Sequence, residues 1–205
     1  PTITALLNLN SSQLRKTRLV RQLGRTLEFE PRRRQDIDFI FLLATPEQAR
    51  LIRPQLRFHD AGDIPVYAAV RVYDGQPDAT GNQDLNGIRF PTTFWQLEHT
   101  EKDAIPDLAS LRGGALAPLF ALGRDAWGIL PWLGLMNKDP GFVFPGESGG
   151  YRAGLDGAML REPAWAEFRR GRPAPLPRAT LANEPLKRGP AAIDTGTGKE
   201  SDARN

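Results

Sequence analysis

The chain contains 205 residues, of which 40% are hydrophobic and 25% charged, a composition typical of a folded globular domain. It contains no cysteine, which excludes disulfides, thiol catalysis and thiolate metal sites. No apolar run approaches the ~18 residues needed to cross a bilayer. The sequence starts with Pro1 and shows no signal-peptide pattern, so we expect a fragment or a processed chain whose location its start does not reveal.

The formal net charge of +3 is unevenly distributed along the chain. Residues 1–35 contain eight Lys or Arg and two Glu, a local excess of +6. Residues 36–205 contain nineteen Lys or Arg and twenty-two Asp or Glu, a local charge of −3. Because the basic excess is confined to the first segment, the pattern argues against a nucleic-acid-binding domain.

The segment SSQLRKTRLVRQLGRTL, residues 11–27, has the pattern of an amphipathic helix. Ser11 or Ser12 is predicted to cap its N-terminus. One face carries apolar side chains and the opposite face carries arginines, which we interpret as a solvated surface. The apolar residues are Leu19, Val20, Leu23 and Leu27.

A strand, a helix and a second strand follow. The continuous apolar run DIDFIFLLA, residues 36–44, predicts a strand buried on both faces of a parallel sheet. Thr45 is the predicted N-cap of the next helix and Pro46 its first residue, while Pro54 should kink or end it. Residues 63–73 predict the second strand, which completes a right-handed βαβ unit.

The region after this unit contains a loop, a short strand and helices. Turn residues predict a loop over 74–87, and GIRFP predicts a short strand that leaves the unit. Residues 103–137 have helical periodicity, interrupted near Gly113-Gly114 and again at Pro131.

The last part of the chain has short alternating runs and then loses its apolar spacing. Asp156-Gly157 predicts a β hairpin with a type I′ turn. From about Pro173 the apolar spacing fades, and the segment GPAAIDTGTGKESDARN predicts a disordered C-terminal tail.

Gly146 to Gly150, GESGG, match the G-x-S-x-G pattern of a hydrolase nucleophile elbow. That elbow requires a strand-to-helix turn and a nearby histidine. Here a hairpin is predicted to follow, and the chain's histidines are His59 and His99. We interpret Ser148 as part of a turn, with a hydrolase as the minor alternative.

No metal or cofactor site is predicted. His59, Asp60 and Asp63 are better explained as the turn that ends the first crossover helix, since one histidine and two carboxylates rarely form a complete site. TGTGK in the tail does not satisfy the phosphate-loop pattern.

The longest run of consecutive basic residues is Arg32, Arg33 and Arg34. They lack interleaved aromatic residues, so they do not predict a nucleic-acid surface. Two alternatives stay open: a solvated loop before the strand, or a contact with an acidic protein partner.

A parallel sheet offers a generic ligand site beyond the carboxyl ends of its strands. Thr45 follows the first predicted strand, and Arg71 and Tyr73 follow the second. These three residues are the candidates for a ligand cleft, where the amide-rich helix start could bind an anion or a carboxylate.

Over about residues 12–176 the sequence resembles that of the LppC/LpoA family of outer-membrane lipoproteins, which activate penicillin-binding proteins. The resemblance is most specific in RRQDID and ATPEQARLIRP. The matching segments are FEPRRRQDIDFIFLLATPEQARLIRPQLRFHDAGDIPVYA, DLNGIRF, LFALGRDAW, GLDGAMLRE and WAEFRRGRPAPL.

The resemblance implies an α/β fold, a partial two-lobed type I periplasmic-binding-protein-like domain with a parallel βαβ core and a C-terminal β hairpin. Residues 1–88 would belong to one lobe, and residues 89–141 would be a helical segment of the other. Residues 142–177 would return as strands, and residues 178–205 would be the disordered tail. Helices such as LFALGRDAWGILPWL are expected to expose apolar faces that pack on the rest of the second lobe.

The resemblance also implies a non-enzymatic regulator of peptidoglycan synthesis. It would bind and activate a bifunctional class A penicillin-binding protein from the periplasmic side of the outer membrane, held there by a lipid anchor outside this chain. No catalytic residue, metal or cofactor is implied. The alternative, from the fold, is a periplasmic solute-binding module for an amino acid or a peptidoglycan fragment.

Overall fold

The computed structural model describes residues 3–25, 28–29, 33–97, 111–154 and 156–177. Its helices are α1 (Ile3–Leu6), α2 (Leu9–Leu23), α3 (Pro46–Phe58), α4 (Phe94–Leu97), α5 (Ala117–Gly128) and α6 (Leu133–Lys138). Its strands are β1 (Ile40–Leu42), β2 (Val66–Ala68), β3 (Ile88–Thr92), β4 (Phe144–Pro145), β5 (Gly149–Ala153), β6 (Met159–Arg169) and β7 (Arg172–Pro175). No helix in these ranges combines the length and hydropathy that a membrane crossing requires. The predicted disordered tail, 178–205, lies outside the described residues.

The predicted α/β class is confirmed by three parallel strands at one side of the sheet. β1 pairs with β2 and β2 pairs with β3, in a register that aligns Ile40, Val66 and Ile88. The second strand is shorter than predicted, because the chain turns into a 3₁₀ helix at Val70–Val72. The third strand, predicted to leave the unit, instead extends the same sheet.

The rest of the sheet is antiparallel, and the long strand β6 organises it. The strand order is β1-β2-β3-β6-β5-β4, with β7 also paired to β6. The predicted hairpin joins β5 to β6, but its loop spans 154–158 and is longer than a two-residue type I′ turn. That turn connects β6 to β7 instead, where Arg170 and Gly171 have φ values of 53° and 72°.

The prediction that the first strand is buried on both faces is wrong. Ile40 and Leu42 are buried in the main core, which also contains Ala49 and Leu56 of α3. Phe39, Phe41 and Leu43 on the other face are 50%, 64% and 74% exposed. Both α3 and the 3₁₀ helix Gly81–Leu85 that contacts it pack on the first face, which leaves the second open within the described part of the chain.

Helix α2 also differs from its prediction. It begins at Leu9, preceded by Asn8 in a left-handed conformation, so Ser12 lies buried inside the helix and caps nothing. Its apolar face is buried only near Leu9. Farther along, Leu19 is 48% and Leu23 54% exposed, while the predicted Leu27 lies outside the described residues.

The start of α3 follows its prediction. Thr45 Oγ1 accepts a hydrogen bond from Gln48 N at 3.5 Å, and Thr45 N donates to Gln48 Oε1 at 3.1 Å, which together form a capping box. Pro46 occupies the first turn, where its missing N–H costs nothing. Pro54 does not end the helix, which continues to Phe58.

We predict that Thr45→Ala lowers the free energy of unfolding by about 1 kcal/mol, because the hydroxyl that caps α3 is removed. Thr80→Ala is the matched control, since exposed Thr80 precedes a 3₁₀ helix without a side-chain cap. Urea denaturation of both variants measures the difference. Equal stability of the two variants would contradict the capping assignment.

Candidate functional site

The carboxyl edge of the parallel sheet holds the predicted cleft residues. Thr45 follows β1, and Arg71 and Tyr73 follow β2. Parallel strands end at the same edge, so the topology brings these segments together. The side chains, however, have three different environments.

The N-terminus of α3, at Thr45, already has hydrogen-bond and charge partners within this protein. The hydroxyl caps Gln48 N, and a hydrogen bond between Thr45 and Glu47 lowers the pKa of the Glu47 carboxyl below its ordinary value. The Glu47 carboxylate lies in the first turn of α3, where it interacts with the positive end of the helix dipole. A bound anion would have to share that interaction. These contacts therefore disfavour a second negative charge at this position.

Arg71 is the most available of the three candidates. It is exposed on the 3₁₀ helix Val70–Val72, directly beyond the end of β2. No hydrogen bond or ion pair connects its guanidinium to another side chain within the described part of the chain. Arg71 is therefore a solvated cation that is able to form an ion pair with a carboxylate.

Tyr73 belongs to the core and does not line an open cleft. Only 4% of it is exposed, and its ring centroid lies 5.9 Å from those of both Phe90 and Phe168. Its hydroxyl is buried and has no hydrogen-bond partner among the described residues. Burial, with a smaller contribution from the Asp74 charge, raises the pKa of Tyr73 to about 12.

A buried polar cluster beyond β3 was missed by the sequence prediction. Gln96 Oε1 accepts from the hydroxyls of Thr92 and Thr93 at 3.4 and 3.2 Å, and Gln96 N donates to Thr93 Oγ1 at 3.2 Å. All three residues are at most 3% exposed. The T-x-x-Q spacing from Thr93 to Gln96 is the capping-box pattern and could have predicted the start of α4.

Trp95 in this short helix joins the sheet to the helical segment. Its indole N–H donates to Leu111 O at 3.1 Å, and the guanidinium of Arg112 lies 4.1 Å from the ring centroid. Arg124 stacks at 5.3 Å and forms an ion pair with Glu147 at 2.9 Å. Cation–π and hydrogen-bond contacts therefore fix α5 against the end of β3.

Ser148 lies in a turn, as its sequence context predicts. The strand β5 follows it, whereas a nucleophile elbow needs a helix. Its Oγ lies 2.6 Å from Asp125 Oδ2 and 2.6 Å from the Tyr151 hydroxyl. The residue is fully buried, so its hydroxyl is a structural group closed to a substrate.

The Asp125 carboxylate organises this turn. It accepts from Glu147 N at 2.6 Å, Ser148 N at 2.7 Å and Ser148 Oγ. It comes from the buried face of α5, so one side chain connects the helical segment to the strands that rejoin the sheet. A side chain at Gly146 would collide with this carboxylate, since an added Cβ would lie 2.7 Å from it.

Two of the three predicted partner-contact arginines are described, and Arg32 lies outside the described residues. Arg33 forms an ion pair with Asp63 at 2.6 Å and donates to Asp60 O, and its side chain is 11% exposed. It anchors the turn after α3 through the carboxylate of Asp63 and the backbone carbonyl of Asp60. No group of three metal-ligating side chains occurs among the described residues.

Arg34 is exposed and pairs with its neighbour Asp36 through two hydrogen bonds of 2.7 and 2.6 Å. The hydrogen bonds from Arg34 lower the pKa of the Asp36 carboxyl to about 2. The pair is therefore neutral at physiological pH.

A groove of about 360 Å³ lies between the first helices and the end of α3. It is lined by Thr4, Leu9, Asn10, Gln13, Phe58, His59 and Asp60. Since α3 runs back from the carboxyl ends of the strands, this groove lies away from the predicted cleft edge.

A family model described as "LppC putative lipoprotein" matches residues 1–171. The chain is 25% identical over 142 residues to the penicillin-binding protein activator LpoA of Klebsiella pneumoniae, with 68% of this chain and 20% of that protein covered. It is 26% identical over 170 residues to LpoA of Vibrio cholerae, with 80% of this chain and 28% of that protein covered. The chain thus spans about a fifth to just over a quarter of the length of these relatives.

The fold is similar to that of LpoA from Haemophilus influenzae. The C-domain of that protein, described as a regulator of PBP1A, superposes with a TM-score of 0.58 at 18% identity and covers 78% of this chain and 49% of that domain chain. A monoclinic form of the H. influenzae protein gives a TM-score of 0.60 at 20% identity, with 78% of this chain and 28% of that chain covered.

We predict that Asp125→Asn lowers the free energy of unfolding by about 3 kcal/mol, because an amide nitrogen would face buried N–H and O–H donors. Asp84→Asn, at an exposed position, is the control and should change stability by less than about 0.5 kcal/mol. Chemical denaturation of both variants tests the assignment. A loss no larger than that of the control would show that the carboxylate does not hold the turn.

We predict that Tyr73→Phe leaves stability unchanged or raises it by about 1 kcal/mol, because it removes a buried hydroxyl without a partner. Tyr151→Phe, which loses the contact with Ser148, should be destabilising by a similar amount.

The Tyr73 pKa also gives this prediction a pH dependence. A phenol whose pKa is raised in the folded state contributes stability that is lost as the pH rises from about 10 to about 12. Tyr73→Phe should remove that part of the alkaline loss, as followed by denaturation at each pH. A destabilised Tyr73→Phe variant would mean that the hydroxyl has a partner.

Proposed function

The chain belongs to the LppC family, and on this basis we propose that it is part of a non-enzymatic regulator that binds and activates a penicillin-binding protein. The family match over residues 1–171 is the observation that carries the proposal. The relatives in K. pneumoniae and V. cholerae are named as penicillin-binding protein activators, and the H. influenzae C-domain is described as a regulator of PBP1A.

The proposed partner is a bifunctional class A penicillin-binding protein. The lipoprotein family would place the full protein on the periplasmic side of the outer membrane through a lipid anchor outside these 205 residues. No cofactor is required for this role, because an activator of this kind works through contact with the enzyme.

The surface of the helical segment supports a role in protein contact. One face of α5, with Ala117, Ala121 and Asp125, is buried against the fold. The opposite side is apolar and, as expected from the sequence, exposed: Leu119 is 62% and Trp127 79% exposed. Exposed large apolar side chains on one face of a helix favour a contact with another protein surface.

The basic segment before β1 is a weaker candidate for the same contact. Arg33 is committed to the turn at Asp63, and Arg34 is paired with Asp36. An acidic partner would have to compete with these carboxylates. Arg71, which has no such competitor within the described part of the chain, is better suited to meet an acidic group.

The alternative of a solute-binding module has less support. Of its three candidate residues, Tyr73 is buried in the core and Thr45 is engaged in its capping box. Arg71 is exposed and has no carboxylate partner within the ranges that the structure describes, but one exposed cation does not define a pocket.

The proposal is tested with a purified class A penicillin-binding protein and lipid-linked peptidoglycan precursor. We expect the full-length protein to bind the enzyme and to raise the cross-linked fraction of the product severalfold. Trp127→Glu should weaken binding at least tenfold if the exposed face of α5 contributes. Arg152→Glu, at an exposed position on β5, is the control.

A full-length protein that neither binds the enzyme nor changes cross-linking would refute the proposed function. Activation that is retained in Trp127→Glu would refute only the role of α5. Folding of each variant is checked by circular dichroism and thermal denaturation before the assay.

A further inference from the structure

The groove between the first two helices and the end of α3 has no part in the proposed function. Its volume of about 360 Å³ lies at the lower end of the range of small-molecule sites. Leu9, which contributes to its lining from α2, is 8% exposed, whereas Phe58, which contributes from α3, is 83% exposed. The groove therefore combines a buried apolar side chain with an aromatic ring that solvent reaches.

Most polar side chains that line this groove are available to a ligand. Asn10 and Gln13 come from α2, and His59 and Asp60 follow the end of α3. No hydrogen bond or ion pair engages these four side chains within the described part of the chain. The groove thus offers two amides and an imidazole, which donate and accept hydrogen bonds, and a carboxylate, which accepts them.

The Asp60 carboxylate projects from a main chain that is fixed on both sides. The residue has a left-handed φ of 56°, and its N–H donates to Arg57 O at 3.2 Å. Its carbonyl accepts from Arg33 Nε, and Arg33 is itself paired with Asp63. A group that is held in position before a ligand arrives loses less conformational freedom on binding.

The side chains of the lining select the class of ligand. An anion would need a cation, and neither Lys nor Arg occurs among the described residues that line the groove. One histidine and one carboxylate are too few for a metal site. A sugar fits this set, because its hydroxyls donate to a carboxylate and exchange hydrogen bonds with amides, while the C–H face of its ring packs on an aromatic side chain.

We propose that this groove binds a short segment of an N-acetylated oligosaccharide. The ring of Phe58 stacks on a sugar ring, and the Asp60 carboxylate accepts from its hydroxyls. The amides of Asn10 and Gln13 pair with an acetamido group, whose methyl packs on Leu9. These contacts lie away from the carboxyl edge of the parallel sheet, so the site is separate from the predicted cleft.

The glycan strand of peptidoglycan is the source of this sugar that we favour. That choice rests on the proposed function, because a bifunctional penicillin-binding protein polymerises a strand of N-acetylated sugars. A groove of this size holds a short segment and leaves the rest of a long strand in solvent.

The test uses the full-length protein and chitotetraose, the tetramer of N-acetylglucosamine. Saturation-transfer NMR measures its affinity, and cellotetraose, the glucose tetramer with the same linkage, lacks the acetamido groups. Phe58→Ala removes the stacking ring, and Leu51→Ala is its control, since Leu51 is 68% exposed on the same helix outside the groove. Asp60→Asn keeps a side chain that tolerates the left-handed backbone, and Asp84→Asn is its control at an exposed position.

We expect saturable binding of chitotetraose, weakened about tenfold in Phe58→Ala through loss of the aromatic contact. Asp60→Asn should weaken binding severalfold, because a charge-assisted hydrogen bond is lost. Both controls should bind like the unaltered protein, and cellotetraose should bind more weakly. Absence of chitotetraose binding, or equal binding by the unaltered protein and both groove variants, would overturn the site. Equal affinity for cellotetraose would overturn the assignment to N-acetylated sugars.

Co-sedimentation with purified peptidoglycan sacculi tests the source of the sugar. Retention that chitotetraose competes away and that Phe58→Ala lowers would assign the groove to the glycan strand, whereas retention that neither changes would overturn that source. Neither measurement contains a penicillin-binding protein. A negative result here therefore leaves the proposed activation standing, and a failure of activation in the cross-linking assay leaves the sugar site standing.

Discussion

The parallel register of β1, β2 and β3 is the constraint on which the other features depend. Ile40, Val66 and Ile88 are aligned across the three strands and are buried against α3. A shift of one residue in any strand would exchange its buried and open faces. The same register places Thr45 and Arg71 at the carboxyl edge and gathers the aromatic side chains on the open face.

Two charged side chains hold turns of this fold in place. Arg33 anchors the turn after α3, and Asp125 fixes the turn that contains Ser148. The charge of Asp125, which is 4% exposed, is tolerated because hydrogen bonds to its carboxylate replace the lost hydration. The contacts of the Ser148 hydroxyl with Asp125 and Tyr151 are the physical reason why the G-x-S-x-G pattern does not form a nucleophile elbow here.

The sequence was sufficient to predict elements whose signal is local. The capping box at Thr45 depends on residues within one helical turn, and the βαβ unit depends on continuous apolar runs. It was insufficient where the outcome depends on distant packing. The apolar run around Phe41 looks the same whether one face or both are covered, and the location of Tyr73 is set by contacts with β3 and β6. The type I′ turn was assigned to Asp156-Gly157, although Arg170 adopts the positive φ that it requires.

The two exposed apolar surfaces differ in what they imply. The open face of the sheet belongs to the parallel core, because Phe41 lies on the same strand whose Ile40 and Leu42 are buried in the main hydrophobic cluster. The outer side of α5 continues no sheet, and its buried side is already satisfied by the contacts of Trp95 and Asp125. A contact on α5 could therefore form and break without loss of the core, which is the property that a regulator needs when it binds an enzyme reversibly.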